Sequence, residues 1–412
     1  MSQTTDALDR WRARYPTLAE LTPRARRRLP AFAYDFLMGG TGTELSPNRN
    51  RTALDAIELI PHVGLDMAGI DPSVTLFGQH FAAPLAIAPI GLDGAIWPGA
   101  TGEFARAAAT TNLPYMTGSF ATLPLEQVAG IHPTGTWLQL YTMPDADYRA
   151  SLGLVERAKA AGIGGLAVTL DIPLPGRRVR DRRHGLRMPF RVTPRAIAQT
   201  MTRPAWLNAL RRAGMPGFVN LLPYAPTPSL QSAAEYLRTN VAGSGATWDF
   251  VARLRDIWTG PLMVKGLLHP RDAERTQALG VDGLVVSNHG GRQFDPAPAS
   301  IDVLPAIRAA VGPEMTILFD SGVMSGLDIL RALACGADAV LAGRAFMIAL
   351  AALGPGGATY AAEVMLDEFR IALGQSGALT PAGARHLDIR HPGRWQTGDF
   401  AGPARAAKTG SA

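Results

Sequence analysis

The chain has 412 residues, 47% of them hydrophobic and 18% charged, a composition that supports a large buried core and excludes wholesale disorder. Its 40 basic and 34 acidic side chains leave a formal charge of +6, a modest excess that suits anionic substrates, phosphate-bearing cofactors or an acidic membrane surface equally well. The single cysteine, Cys335, excludes an intramolecular disulfide framework and a cysteine-rich zinc or iron–sulfur site, and fits a reducing compartment.

The chain begins with polar and charged residues through Arg14, without the basic-then-apolar order of a secretory signal, and no apolar run reaches membrane-spanning length. A cytoplasmic protein is expected, at most peripheral on the inner face of a membrane. A helical-looking stretch, Ala31 to Met38, runs into Gly39, Gly40 and Gly42, which read as a helix stop rather than a phosphate loop. Short apolar, β-branched runs then recur at Pro84 to Ala88, Pro114 to Thr117, Trp137 to Leu140, Leu166 to Leu170, Leu262 to Val264, Gly283 to Val286, Thr316 to Phe319 and Ala339 to Ala342. Helix formers at helical spacing follow most of them, as at Gly102 to Thr110, Pro270 to Leu279 and Gly326 to Ala334. Eight βα units predict an α/β fold, a TIM (β/α)8 barrel. The alternative, an open doubly wound sheet, lacks its Gly-rich turn after the first strand.

The interval after strand four, about residues 182–247, is too long for a barrel connection and is expected to be an insertion. It mixes Arg187, Arg191, Arg195, Arg203, Arg211 and Arg212 with Pro189, Phe190, Trp206, Leu207 and Leu210, which suits either an active-site cover or a segment lying on an anionic bilayer. Residues 1–395 read as a single barrel domain and 396–412 as a disordered tail.

Barrel enzymes place functional groups at the C-terminal ends of their strands. Here those ends carry Gln139 and Tyr141, Thr169 and Asp171, Lys265, then Ser287, Asn288 and His289, Asp320, and finally Gly343 and Arg344. Gly322, Gly343 and Arg344, after strands seven and eight, fit a barrel phosphate site, where glycines let backbone N–H groups approach and arginine neutralises charge. His289 lies three residues before Arg292, so a base that works near neutral pH neighbours a guanidinium able to grip a carboxylate. No two histidines have His-x-x-x-His spacing, and no metal site is expected.

The segment Ser287-Asn288-His289-Gly290-Gly291-Arg292-Gln293 resembles the signature of the FMN-dependent (S)-2-hydroxy-acid oxidase and dehydrogenase family, which includes the glycolate and lactate oxidases. Gln139-Leu140-Tyr141, Thr169-Leu170-Asp171, Gly176-Arg177-Arg178, Val264-Lys265-Gly266 and Gly343-Arg344 resemble further family motifs in order, and the likeness covers roughly Leu29 to Leu379. Pro89 to Pro98 and the insertion with Gly214-Met215-Pro216 resemble the (S)-mandelate dehydrogenases in particular.

The resemblance implies FMN as cofactor and oxidation of a mandelate-like or lactate-like 2-hydroxy acid to the 2-oxo acid. The flavin ring would lie against Pro89, Ile90 and Gly91, with Gln139 and Thr169 on its pyrimidine edge, Lys265 beside N1 and O2, Ser287 nearby, Asp320 on the ribityl chain, and Gly322, Gly343 and Arg344 on the phosphate. His289 would take the substrate proton while two electrons pass to flavin N5; Asp171 would pair with His289, and Tyr141, Arg178 and Arg292 would contact the substrate. A quinone would then accept the electrons. The alternatives are oxygen, giving hydrogen peroxide, and a non-catalytic flavin or membrane-associated binding protein. A homotetramer is also implied.

Three positions depart from the family pattern. Phe36 stands in the substrate pocket where a carboxylate-binding tyrosine is usual, Met324 where a phosphate-binding arginine is common, and Gly118 where a serine contacts the flavin. Gly91, alanine in many oxidases of the family, is the dehydrogenase-like choice.

Overall fold

The computed structural model describes residues 2–66, 68–185, 193–240 and 246–393, with side chains from residue 8. The expected tail 396–412 and the insertion residues Arg187, Pro189, Phe190 and Arg191 lie outside the described residues.

Eight parallel strands close into a barrel in chain order. They are β1 (Leu85–Ile87), β2 (Tyr115–Gly118), β3 (Thr136–Leu140), β4 (Gly165–Thr169), β5 (Leu262–Leu267), β6 (Gly283–Val286), β7 (Thr316–Asp320) and β8 (Ala339–Ala342). Every residue of β1–β4, β6 and β8 is buried, which is why these strands read as continuous apolar runs rather than alternating ones. Strand β5 outruns the expected Leu262 to Val264, because a lysine in an apolar run looks like a strand end. At its end Gly266 adopts φ +103 in a bulge between Lys265 and Leu267, and a Cβ there would stand 2.5 Å from the Asp171 Cβ.

Alternation along the strands fills the barrel in layers. Ala86, Met116, Trp137, Ala167, Met263, Val285, Leu318 and Leu341 belong to one buried apolar cluster. Two residues on, the same inward positions are Ala88, Gly118, Gln139, Thr169, Lys265, Ser287, Asp320 and Gly343. Apart from Ala88, the core thus ends in a polar or glycine layer at the C-terminal mouth. A hairpin of Val74–Leu76 and Gln79–Phe81 closes the opposite end, where Phe77 and Phe81 meet Trp137 edge-on at 5.8 and 6.2 Å.

Helices α1 (Leu21–Arg28), α2 (Ala31–Met38) and α3 (Leu45–Asp55) precede the barrel; α1 donates from Arg24 and Arg28 to the carbonyls of Ala352 and Ala351, and α2 and α3 return to the mouth. On α3, Asn50 exchanges hydrogen bonds of 2.7 and 2.9 Å with Asn288, and Asp295 accepts the Thr43 and Ser46 N–H groups. The segment after β4 holds α4 (Pro194–Met201), α5 (Pro204–Ala213) and α6 (Leu230–Asn240). It docks on the N-terminal helices and the barrel rim: the Trp206 indole donates to the Ile96 carbonyl at 2.8 Å and meets Phe32 edge-on, and Gln199 accepts the Phe32 N–H. Two further helices used below are α7 (Gly326–Ala334), after β7, and α8 (Arg344–Leu353), after β8.

Candidate active site

The mouth of the barrel opens into a cavity of about 1130 Å³. Along its floor the polar layer is already cross-linked. The Lys265 ammonium donates to Asp320 at 2.8 Å and to the Ser287 hydroxyl at 2.9 Å, and Ser287 donates to Asp320 at 2.6 Å. Burial pushes the Lys265 pKa down, but the carboxylates of Asp320 and Asp171 outweigh it, and the ammonium is held more firmly protonated than usual. Burial likewise raises the Asp320 carboxyl, and Lys265 and Ser287 reverse that, keeping it ionised. Beside them Gln139 Nε2 donates to Thr169 Oγ1 at 2.6 Å.

His289 follows β6 in a left-handed conformation, φ +59. That turn swings its ring across the mouth, with Nδ1 3.1 and 3.2 Å from the two Asp171 oxygens and Nε2 3.3 Å from the Tyr141 hydroxyl. A carboxylate can only accept from Nδ1, so the neutral ring carries its proton there and turns the Nε2 lone pair to the cavity. Burial lowers the His289 pKa; Asp171 opposes this, and Lys265 and Arg178 add to it. Burial also raises the Tyr141 phenol.

Several arginines line the cavity, among them Arg178, Arg292 and Arg344. Arg292 donates to the carbonyls of Phe36 and Gly39, both at 2.7 Å, and lies 5.0 Å over the Phe36 ring. Burial, then repulsion from Arg178 and Arg344, lowers the Arg292 pKa well below its ordinary value. Arg178 keeps a buried Nε with no hydrogen-bond partner. Arg344 donates only to carbonyls, those of Leu37, Gly290 and Gly39. Arg292 and Arg344 are thus buried cations served by carbonyls, and Arg178 stands 4.0 Å from the Asp181 carboxylate.

The expected site residues converge. Pro89, Ile90, Gly91, Gln139, Thr169, Lys265, Asp320, Gly322, Gly343 and Arg344 line one cavity with Phe36, Tyr141, Arg178, His289 and Arg292. Asp171 stands behind His289, and Ser287 stands behind Lys265 rather than on the wall. Asn288 turns away to Asn50 and the Pro298 carbonyl. Several wall residues escaped the sequence reading, among them three apolar ones. Phe120, two positions past β2, stacks on Tyr141 at 4.6 Å; Phe218 meets Phe120 edge-on at 5.9 Å; Leu237 comes from α6. Position two past a strand end could have signalled Phe120, but nothing local marks Phe218 or Leu237. Cys335 is buried before β8, at the other end of that strand, its thiol pushed up to about 12 by burial.

Comparison with known proteins decides the family. Residues 25–390 match the model of the FMN-dependent dehydrogenases. The chain belongs to the FMN-dependent dehydrogenase family. It is accordingly an FMN-dependent oxidoreductase. It is 39% identical over 356 residues to an L-lactate dehydrogenase of Pseudomonas paraeruginosa, covering 86% of this chain and 92% of that one. An L-lactate dehydrogenase of Caulobacter vibrioides is 40% identical over 355 residues, with the same coverage. Among solved structures, the monotopic membrane protein (S)-mandelate dehydrogenase superposes with a TM-score of 0.84 at 31% identity, covering 91% of this chain and 99% of that one. A mandelate oxidase gives 0.78 at 35% identity, covering 92% and 99%.

The cavity fits the family's cofactor. It is large enough for a flavin nucleotide, Lys265 offers a fixed positive charge on the floor, and Arg344 lies at the start of α8, where helix N–H groups favour a phosphate.

Proposed function

We propose that this protein oxidises an aryl, mandelate-like (S)-2-hydroxy acid to its 2-oxo acid, with His289 as the base and FMN as the cofactor. The observation that carries this reading is His289 itself, with Nδ1 held by Asp171 at 3.1 Å and Nε2 3.3 Å from the Tyr141 hydroxyl on the wall of the cavity it shares with Arg178 and Arg292. Bound FMN supplies a two-electron acceptor. Pro89, Ile90 and Gly91 would flank the flavin, Gln139, Thr169 and Lys265 would meet its polar edge with Ser287 fixing Lys265, Asp320 would take the ribityl chain, and Gly322, Gly343 and Arg344 would take the phosphate.

Arg178 and Arg292 hold the substrate carboxylate, which relieves their mutual repulsion. His289 Nε2 then accepts the substrate proton, and Asp171 stabilises the imidazolium so formed. Tyr141 donates to the substrate oxygen. The wall of Phe120, Phe218 and Leu237 and the ring of Phe36 favour an aryl side chain over the methyl of lactate. Anaerobic bleaching of the flavin with lactate, mandelate and larger aryl hydroxy acids tests this, and fastest reduction by lactate would refute the aryl preference. His289→Ala should keep the yellow flavin and slow its reduction by about 10²–10⁴-fold.

A quinone is the favoured electron acceptor. A Cβ at Gly91 would meet nothing closer than Phe120 at 3.7 Å, so the glycine leaves room that an alanine would fill. The second reading, an oxidase making hydrogen peroxide, requires reoxidation by air at the rate of turnover. Two finer readings complete the proposal. The barrel spans residues 1–395 as one domain with the insertion as its cover, and it assembles as a homotetramer, which sedimentation would show. The insertion's outer surface rests on a membrane; no helix among the described residues is long and apolar enough to cross one.

A further inference from the structure

A flavin phosphate brings a charge of about −1.5 to −2 into the cavity, and Arg344, at the start of α8, supplies one positive charge against it. Met324, in the turn after β7, adds none. One other cation touches that turn. Arg51, on α3, lines the cavity and donates from Nη1 to the Gly322 carbonyl at 2.9 Å. We propose that Arg51 is the second cation of the phosphate end, supplied from α3 in place of a side chain at position 324; this rests on the FMN reading above.

The contacts of Arg51 show how it serves. It grips the buried Asp328 of α7 with both terminal nitrogens, at 2.6 and 2.7 Å, and that carboxylate also accepts the Met324 N–H at 2.9 Å. Arg51 and Asp328 therefore clamp the turn from both sides. In a planar peptide the carbonyl and the following N–H point opposite ways, so a Gly322 carbonyl turned to Arg51 directs the Val323 N–H away from it. The turn itself runs through Ser321 at φ +100 and Gly322 at φ +95, a shape that needs support. The remaining two donors of Arg51 go to Asp55, which is 58% exposed. That contact is the replaceable one, and Arg331, 3.8 Å from Asp55, is placed to take over the carboxylate.

The test separates phosphate from flavin ring by titrating apoprotein with FMN and with riboflavin, following flavin fluorescence. Arg51→Met should weaken FMN by about tenfold or more, as for a lost charge-assisted contact, and leave riboflavin within about twofold. The double variant R51M/M324R should recover most of the FMN affinity. Equal weakening of both flavins would assign Arg51 a merely structural task, and no change in either would remove it from the site; both outcomes overturn the proposal. A wild-type protein that takes up neither flavin would instead overturn the functional reading beneath it.

Discussion

At the scale of single residues, the chemistry turns on which form of His289 exists at working pH. Burial destabilises its charged form more than Asp171 restores it, so the imidazole stays neutral below the ordinary histidine range. Flavin reduction by substrate should therefore hold steady near neutrality and fall as pH drops through that lowered value. Asp171→Asn removes the group that raises the pKa most, so the acid limb should move to still lower pH. It should also slow reduction by about 10²–10⁴-fold, because the imidazolium loses its counter-charge and Asn can hold the ring in the wrong tautomer. Stopped-flow reduction from pH 5 to 9 checks both; an acid limb displaced upward would contradict the assignment. Phe36 offers a second test. Its ring lies under Arg292 without a hydroxyl to offer, so Phe36→Tyr should tighten small hydroxy acids about fivefold, as one added hydrogen bond of about 1 kcal/mol predicts.

At the scale of elements, the bulge that ends β5 joins fold to site. Gly266 has a backbone conformation that other residues rarely adopt, and its missing Cβ is the space that Asp171 occupies. Gly266→Ala should cost about 2 kcal/mol or more, read by urea unfolding, and should slow flavin reduction by shifting Asp171 from His289. Most strands were legible because they are buried on both faces, and the inward groups were legible because alternation carries several of the apolar residues to a polar one two positions on. Met263 leads to Lys265 in this way, and Leu318 to Asp320. The end of β5 was not legible, since Lys265 reads as a turn when its partners on β6 and β7 are unseen. Nor were Phe218 and Leu237, whose place on the wall depends on Trp206 reaching back to Ile96, more than a hundred residues earlier.

At the scale of the whole molecule, the insertion has two faces with different work. Inward, Trp206 packs on the rim, and Phe218 and Leu237 line the cavity. Outward, α4 exposes Ile197 and Met201, 52% and 66% accessible and one turn apart on one face, and Met215 follows α5 at 63%. Arg195, Arg211 and Arg212 flank them. Apolar side chains ringed by arginines suit a bilayer of anionic lipid, where each arginine near the surface contributes about 1 kcal/mol. The protein should therefore sediment with phosphatidylglycerol vesicles at low salt, and less with phosphatidylcholine. The double variant Ile197→Glu, Met201→Glu should stay in the supernatant while its flavin is reduced by substrate at the wild-type rate, because neither side chain lines the cavity. Vesicle binding that survives this variant would move the membrane contact off α4. A wild-type protein that never sediments would leave the insertion as a cover alone, with its electrons collected by an acceptor from solution.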